Sequence, residues 1–268
     1  MGPEMGYGFA RARGARVEQL GFSGAGSTTT VIASATAGTF GTLATLGTSS
    51  FAYDAITLSI GIANQKRGIL TLTANTGGSD QTIADSIAFN NVIASNDIGT
   101  SVWLPLRVPS GAVIKAKTAT TASGGQLRVA VTGIQSGALS RGFGRVVSCT
   151  DFTGADPTNP ITLNGTTLTG WVQVQAATPA DIGMLFALPT CTTTAGGPNG
   201  QIYVEIGWGA SGSEIPLVKV PIVVNNTFVT TPICIPCVIP QGTRIAARAQ
   251  CSVASTVTVG VVCWGAQP

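Results

Sequence analysis

The spacing Cys234-x-x-Cys237 is one that half of a zinc ribbon or a dithiol redox pair uses, so sulfur chemistry is the first reading the residues offer. A zinc ribbon needs a second such pair roughly 15–20 residues on. Here Cys251 and Cys263 stand singly. A redox pair needs a helix behind it, whereas Ile233 to Pro240 is proline-punctuated and reads as extended. Cys149, Cys191, Cys234, Cys237, Cys251 and Cys263 are therefore expected to be small buried apolar side chains, and no metal site is expected. Histidine is absent from the 268 residues. That removes Ser-His-Asp and Cys-His triads, imidazole-ligated zinc and imidazole acid–base work together.

The remaining catalytic candidates are carboxylates. A glycosidase needs two of them about 5–9.5 Å apart. Asp151 and Asp156, in Asp151-Phe-Thr-Gly-Ala-Asp156-Pro157, are the nearest loop pair, but Asp before Pro and before Thr-Gly is ordinary turn chemistry. Asp80 and Glu214 sit in matching loops and read as turn residues too. Glycine strings such as Gly21 to Gly26 lack the Lys-Ser/Thr or G-x-G-x-x-G context of a phosphate loop. No catalytic residue and no cofactor follow, and the chain reads as a non-enzyme. Trp103, Trp171, Trp208 and Trp264 could stack on sugars, although one or two tryptophans per sandwich are expected as core anchors.

The elements that must carry these residues are strands. Ile69 to Thr73, Gln126 to Thr132, Trp171 to Gln175, Gln201 to Ile206 and Val257 to Cys263 are alternating or β-branched runs between Gly, Ser, Asn and Pro clusters. No segment holds a helical apolar stripe over three turns. No apolar run approaches the ~20 residues of a spanning helix, for Lys219 and two prolines interrupt Ile215 to Val224. The N-terminus has no apolar signal core. Membrane insertion is not expected.

An internal duplication organises the chain. Leu104-Pro105-Leu106-Arg107-Val108-Pro109-Ser110-Gly111-Ala112-Val113-Ile114-Lys115-Ala116-Lys117 aligns with Ile235-Pro236-Cys237-Val238-Ile239-Pro240-Gln241-Gly242-Thr243-Arg244-Ile245-Ala246-Ala247-Arg248. Upstream, Gly78-Ser79-Asp80 and Asn90-Asn91 match Gly212-Ser213-Glu214 and Asn225-Asn226 in order. Pro109-x-Gly111 and Pro240-x-Gly242 predict a turn entering a strand, with Ile114/Ile245 and Ala116/Ala247 on one face. Lys115, Lys117, Arg244 and Arg248 then fall mostly on other faces or edges, where charge discourages stray strand pairing; the functional alternative is that these basic groups bind a ligand. The expected fold is all-β: two tandem antiparallel β-sandwiches, jelly-roll-like, over residues 22–137 and 138–268, preceded by an extended arm over residues 1–21. Tyr7, Phe9, Arg11, Arg13 and Arg16 are the arm's candidate anchors on a partner subunit.

The segment Ile239 to Gln250, IPQGTRIAARAQ, together with the Gly-Ser-Asp/Glu loops and the echo at Val108 to Lys117, resembles sequences of virion structural proteins of tailed bacteriophages. The resemblance covers about half the chain. It implies a β-rich particle component of a tail, fibre, adaptor or head decoration, present in many copies, made in the bacterial cytoplasm and carried in the virion. It implies no catalytic residues. Composition agrees: 44% of residues are apolar and only 9% charged, with a net charge of +3, too small and dispersed for direct nucleic-acid binding. The expected partners are other virion proteins and copies of the same chain, joined by apolar burial and strand-edge pairing. The alternative is a module that binds a host-surface glycan through Trp171 or Trp208.

Overall fold

The computed structural model describes residues 16–22, 28–62, 68–89, 100–135, 143–163, 165–191, 200–224, 232–253 and 257–268. Short β-branched runs closed by glycine or proline build strands, and no helix occurs among the described residues. The first half holds β1 (Arg16–Leu20), β2 (Thr29–Ile32), β3 (Ala44–Thr48), β4 (Ala55–Ile62), β5 (Gly68–Asn75), β6 (Gln81–Phe89), β7 (Thr100–Leu104), β8 (Val113–Thr120) and β9 (Gln126–Gln135). The second half opens with β10 (Arg145–Ser148), the hairpin β11 (Phe152–Thr153) and β12 (Asp156–Pro157), β13 (Ile161–Thr162) and β14 (Val172–Gln175). It continues with β15 (Ile182–Cys191), β16 (Gly200–Trp208), β17 (Ile215–Val224), β18 (Ile233–Ile239), β19 (Ile245–Cys251) and β20 (Thr258–Gln267).

One strand order occurs twice. In the first half β1 and β2 line one side of β9, giving the sheet β1-β9-β4-β7, which faces β3-β8-β5-β6. In the second half β10 and β13 line one side of β20, giving β10-β20-β15-β18, which faces β14-β19-β16-β17. This is the strand order of an eight-stranded jelly roll, two Greek keys folded face to face. The aligned turns match in backbone as well: Gly111 has φ 78° and Gly242 φ 80°. A side chain there would be forced into the left-handed region, which is why glycine follows the proline by two in both copies.

The halves are spliced edge to edge. β6 pairs in parallel with β10, Ala84 opposite Val146, and so joins two half-sheets into one nine-stranded sheet. Because successive strand residues face opposite sides, this sheet serves two cores. Val146, Phe186, Leu188, Val262, Trp264 and Ala266 belong to the cluster of the first sandwich; Val147, Leu185, Ala187, Val259, Val261 and Cys263 belong to that of the second. The near-continuous apolar run of β20 follows from burial on both faces.

The arm expected over residues 1–21 gives way at Arg16 to strand β1, paired from Arg16 opposite Gln135 to Leu20 opposite Val131. Leu20 alone in it is buried, so the run RVEQL carries almost no apolar period; the ladder of β9 makes it a strand. Arg16 accordingly stacks 4.3 Å above the ring of Phe51, within its own sandwich. Tyr7, Phe9, Arg11 and Arg13 lie outside the described residues.

Candidate functional site

Among the described residues the sulfur atoms and acids do not converge on a reaction centre. Cys149 and Cys263 are buried, and burial, reinforced by the nearby Cys237, pushes the Cys149 thiol up to about 12. Burial likewise pushes the Cys263 thiol well above its ordinary value. Cys234 departs from the expectation of burial: it is exposed on β18, because its neighbours Ile233 and Ile235 take the inward positions around it. Among the described residues no cluster of cysteine and acid has metal-binding geometry. Asp151 accepts hydrogen bonds from the Ala176 amide and the Gln173 side chain, both at 3.1 Å, which ties the turn after β10 to the end of β14.

The basic residues of the repeat do not guard edges, since β8 and β19 are interior strands of their sheets. They pair instead. Lys115 meets Asp80 at 3.0 Å, Arg244 meets Glu214 at 2.6 Å and Arg248 meets Glu205 at 2.6 Å. Asp80 and Glu214 thus do more than shape turns. Lys115, then Asn75, hold the Asp80 carboxyl below the usual carboxylate range.

The tryptophans divide by face. Trp264 is fully buried and stacks on Phe186 at 6.1 Å, with its indole N–H unpartnered. Trp208 packs against the second core, so it offers little to a ligand. Trp171 lies on the outer face of β14-β19-β16-β17. The outer edge of its benzo ring rests against Gly207, where an added Cβ would come within 2.8 Å of the indole, and Arg248 stacks on one ring face at 4.3 Å. Register carries the row across the sheet, Arg248 opposite Glu205 and Glu205 opposite Lys219. In the next row Tyr203 lies opposite Gln250, donates to Gln201 at 2.6 Å and carries the Lys219 ammonium 5.3 Å from its ring. Sequence reasoning singled out Trp171 and read Arg248 first as a solvated charge, with ligand binding as the alternative. It missed Glu205, Tyr203 and Lys219, although Tyr203 and Glu205 alternate with the buried Ile202, Val204 and Ile206 and so signal the outer face.

A second face differs in kind. On the outside of β1-β9-β4-β7 the side chains that alternate with the core are Val17, Gln19, Thr57, Ser59, Ser101, Ala130 and Thr132, with Ile32 at the end of β2 and Trp103 on β7. Val17, Ile32 and Trp103 are 39%, 51% and 40% exposed. The charge in these rows is Arg128, which is turned along the sheet to Thr30 Oγ1 at 2.7 Å and the Thr28 carbonyl.

No protein-family model and no curated protein sequence matches the chain. Among solved structures it is similar to PNGF-II, with 12% identity and a TM-score of 0.40 over 94% of this chain and 64% of that one. The chain therefore spans less than two thirds of PNGF-II. It is also similar to the CBM22-1-CBM22-2 tandem domain of Xyn10C from Paenibacillus barcinonensis, at 10% identity and TM-score 0.27 over 95% and 92% of the two chains. The VP2 subviral particle of infectious bursal disease virus follows at 11% identity and TM-score 0.23 over 93% and 70%. Likenesses this distant leave function to be read from the molecule's own surfaces.

Proposed function

We propose that this protein is a non-enzymatic building block of a tailed-phage particle, assembling in many copies as a tail, fibre or adaptor component. The observation that carries the reading is the outer face of β1-β9-β4-β7, a nearly uncharged sheet of Ser, Thr and Ala in which Val17, Ile32 and Trp103 stand exposed. Interface cores are depleted in charge and anchored by aromatic residues, and this face has both properties. The sequence resemblance supplies the particle; the face supplies the means of joining. Two of the strand edges are a poorer means. β17 ends its sheet with Pro216 and Pro221, and β18 ends the nine-stranded sheet with Pro236, residues that have no N–H to offer a neighbour. Assembly through this face is accordingly favoured over the strand-edge pairing expected from sequence at β17 and β18, while β3, β7 and β14 end their sheets without an internal proline. Residues 1–15 would add a tether to other virion proteins.

Native mass spectrometry of the full chain tests this, with Trp103→Arg and Ile32→Asp as variants. A closed oligomer is expected, and loss of the Trp103 aromatic anchor should weaken it by about 2 kcal/mol or more, some thirtyfold in dissociation constant. A monomeric wild type, or an oligomer indifferent to both substitutions, would refute the reading.

A further inference from the structure

The duplication places a cation over an aromatic ring at the same point of both copies. Lys117 on β8 lies 4.9 Å from the centre of Phe40; Arg248, its aligned partner on β19, lies 4.3 Å from Trp171. In the first copy a hairpin covers part of this face. Gly154, at the tip of the β11–β12 hairpin, abuts Gly38 so closely that a Cβ on Gly38 would meet it at 2.8 Å. Phe152 packs on the first core alongside Phe40, and Thr71, opposite Lys117, is buried. In the second copy the aligned partner of Thr71 is Glu205, and the row stays open to solvent: the Arg248 and Glu205 side chains are 27% and 15% exposed, and Lys219 beside them is exposed.

The chemistry of the open copy is specific. The Arg248 Nε donates to Glu205 Oε2, and among the described residues the two terminal nitrogens of Arg248 and the other oxygen of Glu205 have no protein partner. A donor pair and an acceptor therefore stand side by side, next to a large aromatic ring. Adjacent hydroxyls of a pyranose ask for that pairing of donor and acceptor, while the ring's C–H face packs on an aromatic plane. Arg248 and Glu205 cancel as a pair and the remaining cation, Lys219, lies against the Tyr203 ring, so hydroxyl and ring contacts rather than net charge carry the recognition. Tyr203, one row along, offers a second ring.

We propose that the outer face of β14-β19-β16-β17 binds a neutral oligosaccharide, stacked on the face of half-buried Trp171 opposite Arg248, with Arg248, Glu205 and Tyr203 as the hydrogen-bonding and stacking groups around it. The site is independent of the assembly face on the first sandwich.

The experiment is isothermal titration of the full-length protein with hexasaccharides of glucose (β-1,4 and α-1,4), xylose, mannose and N-acetylglucosamine, and with oligogalacturonate as an anionic comparison. At least one neutral probe should bind, and Trp171→Ala and Arg248→Met should each weaken it tenfold or more. Trp171→Phe, which keeps a ring at this position, should retain part of the affinity and so separate lost stacking from lost folding. Trp103→Arg should leave binding unchanged, which distinguishes failure here from failure of the assembly reading. Binding of no neutral probe, preference for the anionic one, or affinity indifferent to Trp171→Ala would overturn the proposal.

Discussion

Single residues in this protein are defined by which side of a strand they occupy. The thiols illustrate it. Cys149, Cys251 and Cys263 are buried, whereas Cys234 faces water, although all four occur in one apolar-looking half of the sequence. A thiol held neutral by burial contributes stability that is complete below the ordinary thiol range and is lost as pH rises through its elevated value, about 12 for Cys149. Native protein at pH 8 should therefore give a fast reaction of Cys234 with a thiol-specific disulfide reagent, while Cys149, Cys251 and Cys263 react only on unfolding. Peptide mapping after a timed pulse would identify the modified positions. Prompt labelling of Cys149 or Cys263 would mean that the shared sheet opens far more readily than its packing implies. The exposure of Cys234 was hard to read from ICIPCVI, because proline and cysteine blur the alternation that marks a strand's two faces.

Elements are held in register by turns and by the pairs that bridge them. Asp80, after β5, accepts from Asn75 at 3.1 Å and Lys115 at 3.0 Å, fastening the β5–β6 turn to β8. Its carboxyl lies below the ordinary range in the folded chain, so the stability it adds is present above that range and disappears as pH falls through the lowered value. Asp80→Asn should accordingly flatten the fall in melting temperature between about pH 4 and pH 2 while lowering the plateau at pH 7. An acid limb identical to wild type would assign the pair no role in fastening the turn. Much of this level was legible in sequence: the proline–glycine turns, the inward Ile114/Ile245 and Ala116/Ala247 positions, and the strand-rich pattern all appear in the structure. What was not legible came from partners remote in the chain. β1 becomes a strand because β9 pairs with it, and the charges of β8 and β19 find acids supplied by β16 and by the β5–β6 and β16–β17 turns.

At the scale of the whole molecule, the two sandwiches share structure. β15 and β20 present alternate residues to different cores, and β10 carries the sheet across by its parallel pairing with β6. Heating should therefore produce one unfolding transition by calorimetry, and Trp264→Ala should shift it as a unit, on the order of 10 °C downward for a large buried aromatic. Two separable transitions, with only one moved, would show that the cores are energetically independent. The doubly committed strand has a further consequence for how the sequence can change. In a strand with one wet face, alternate positions are free to drift. In β20 a residue released from one core is not released from the other, and a slip of one position would trade Trp264 for Cys263 across the sheet. The segment is written for two readers at once, so inheritance can revise it only by changes that both accept.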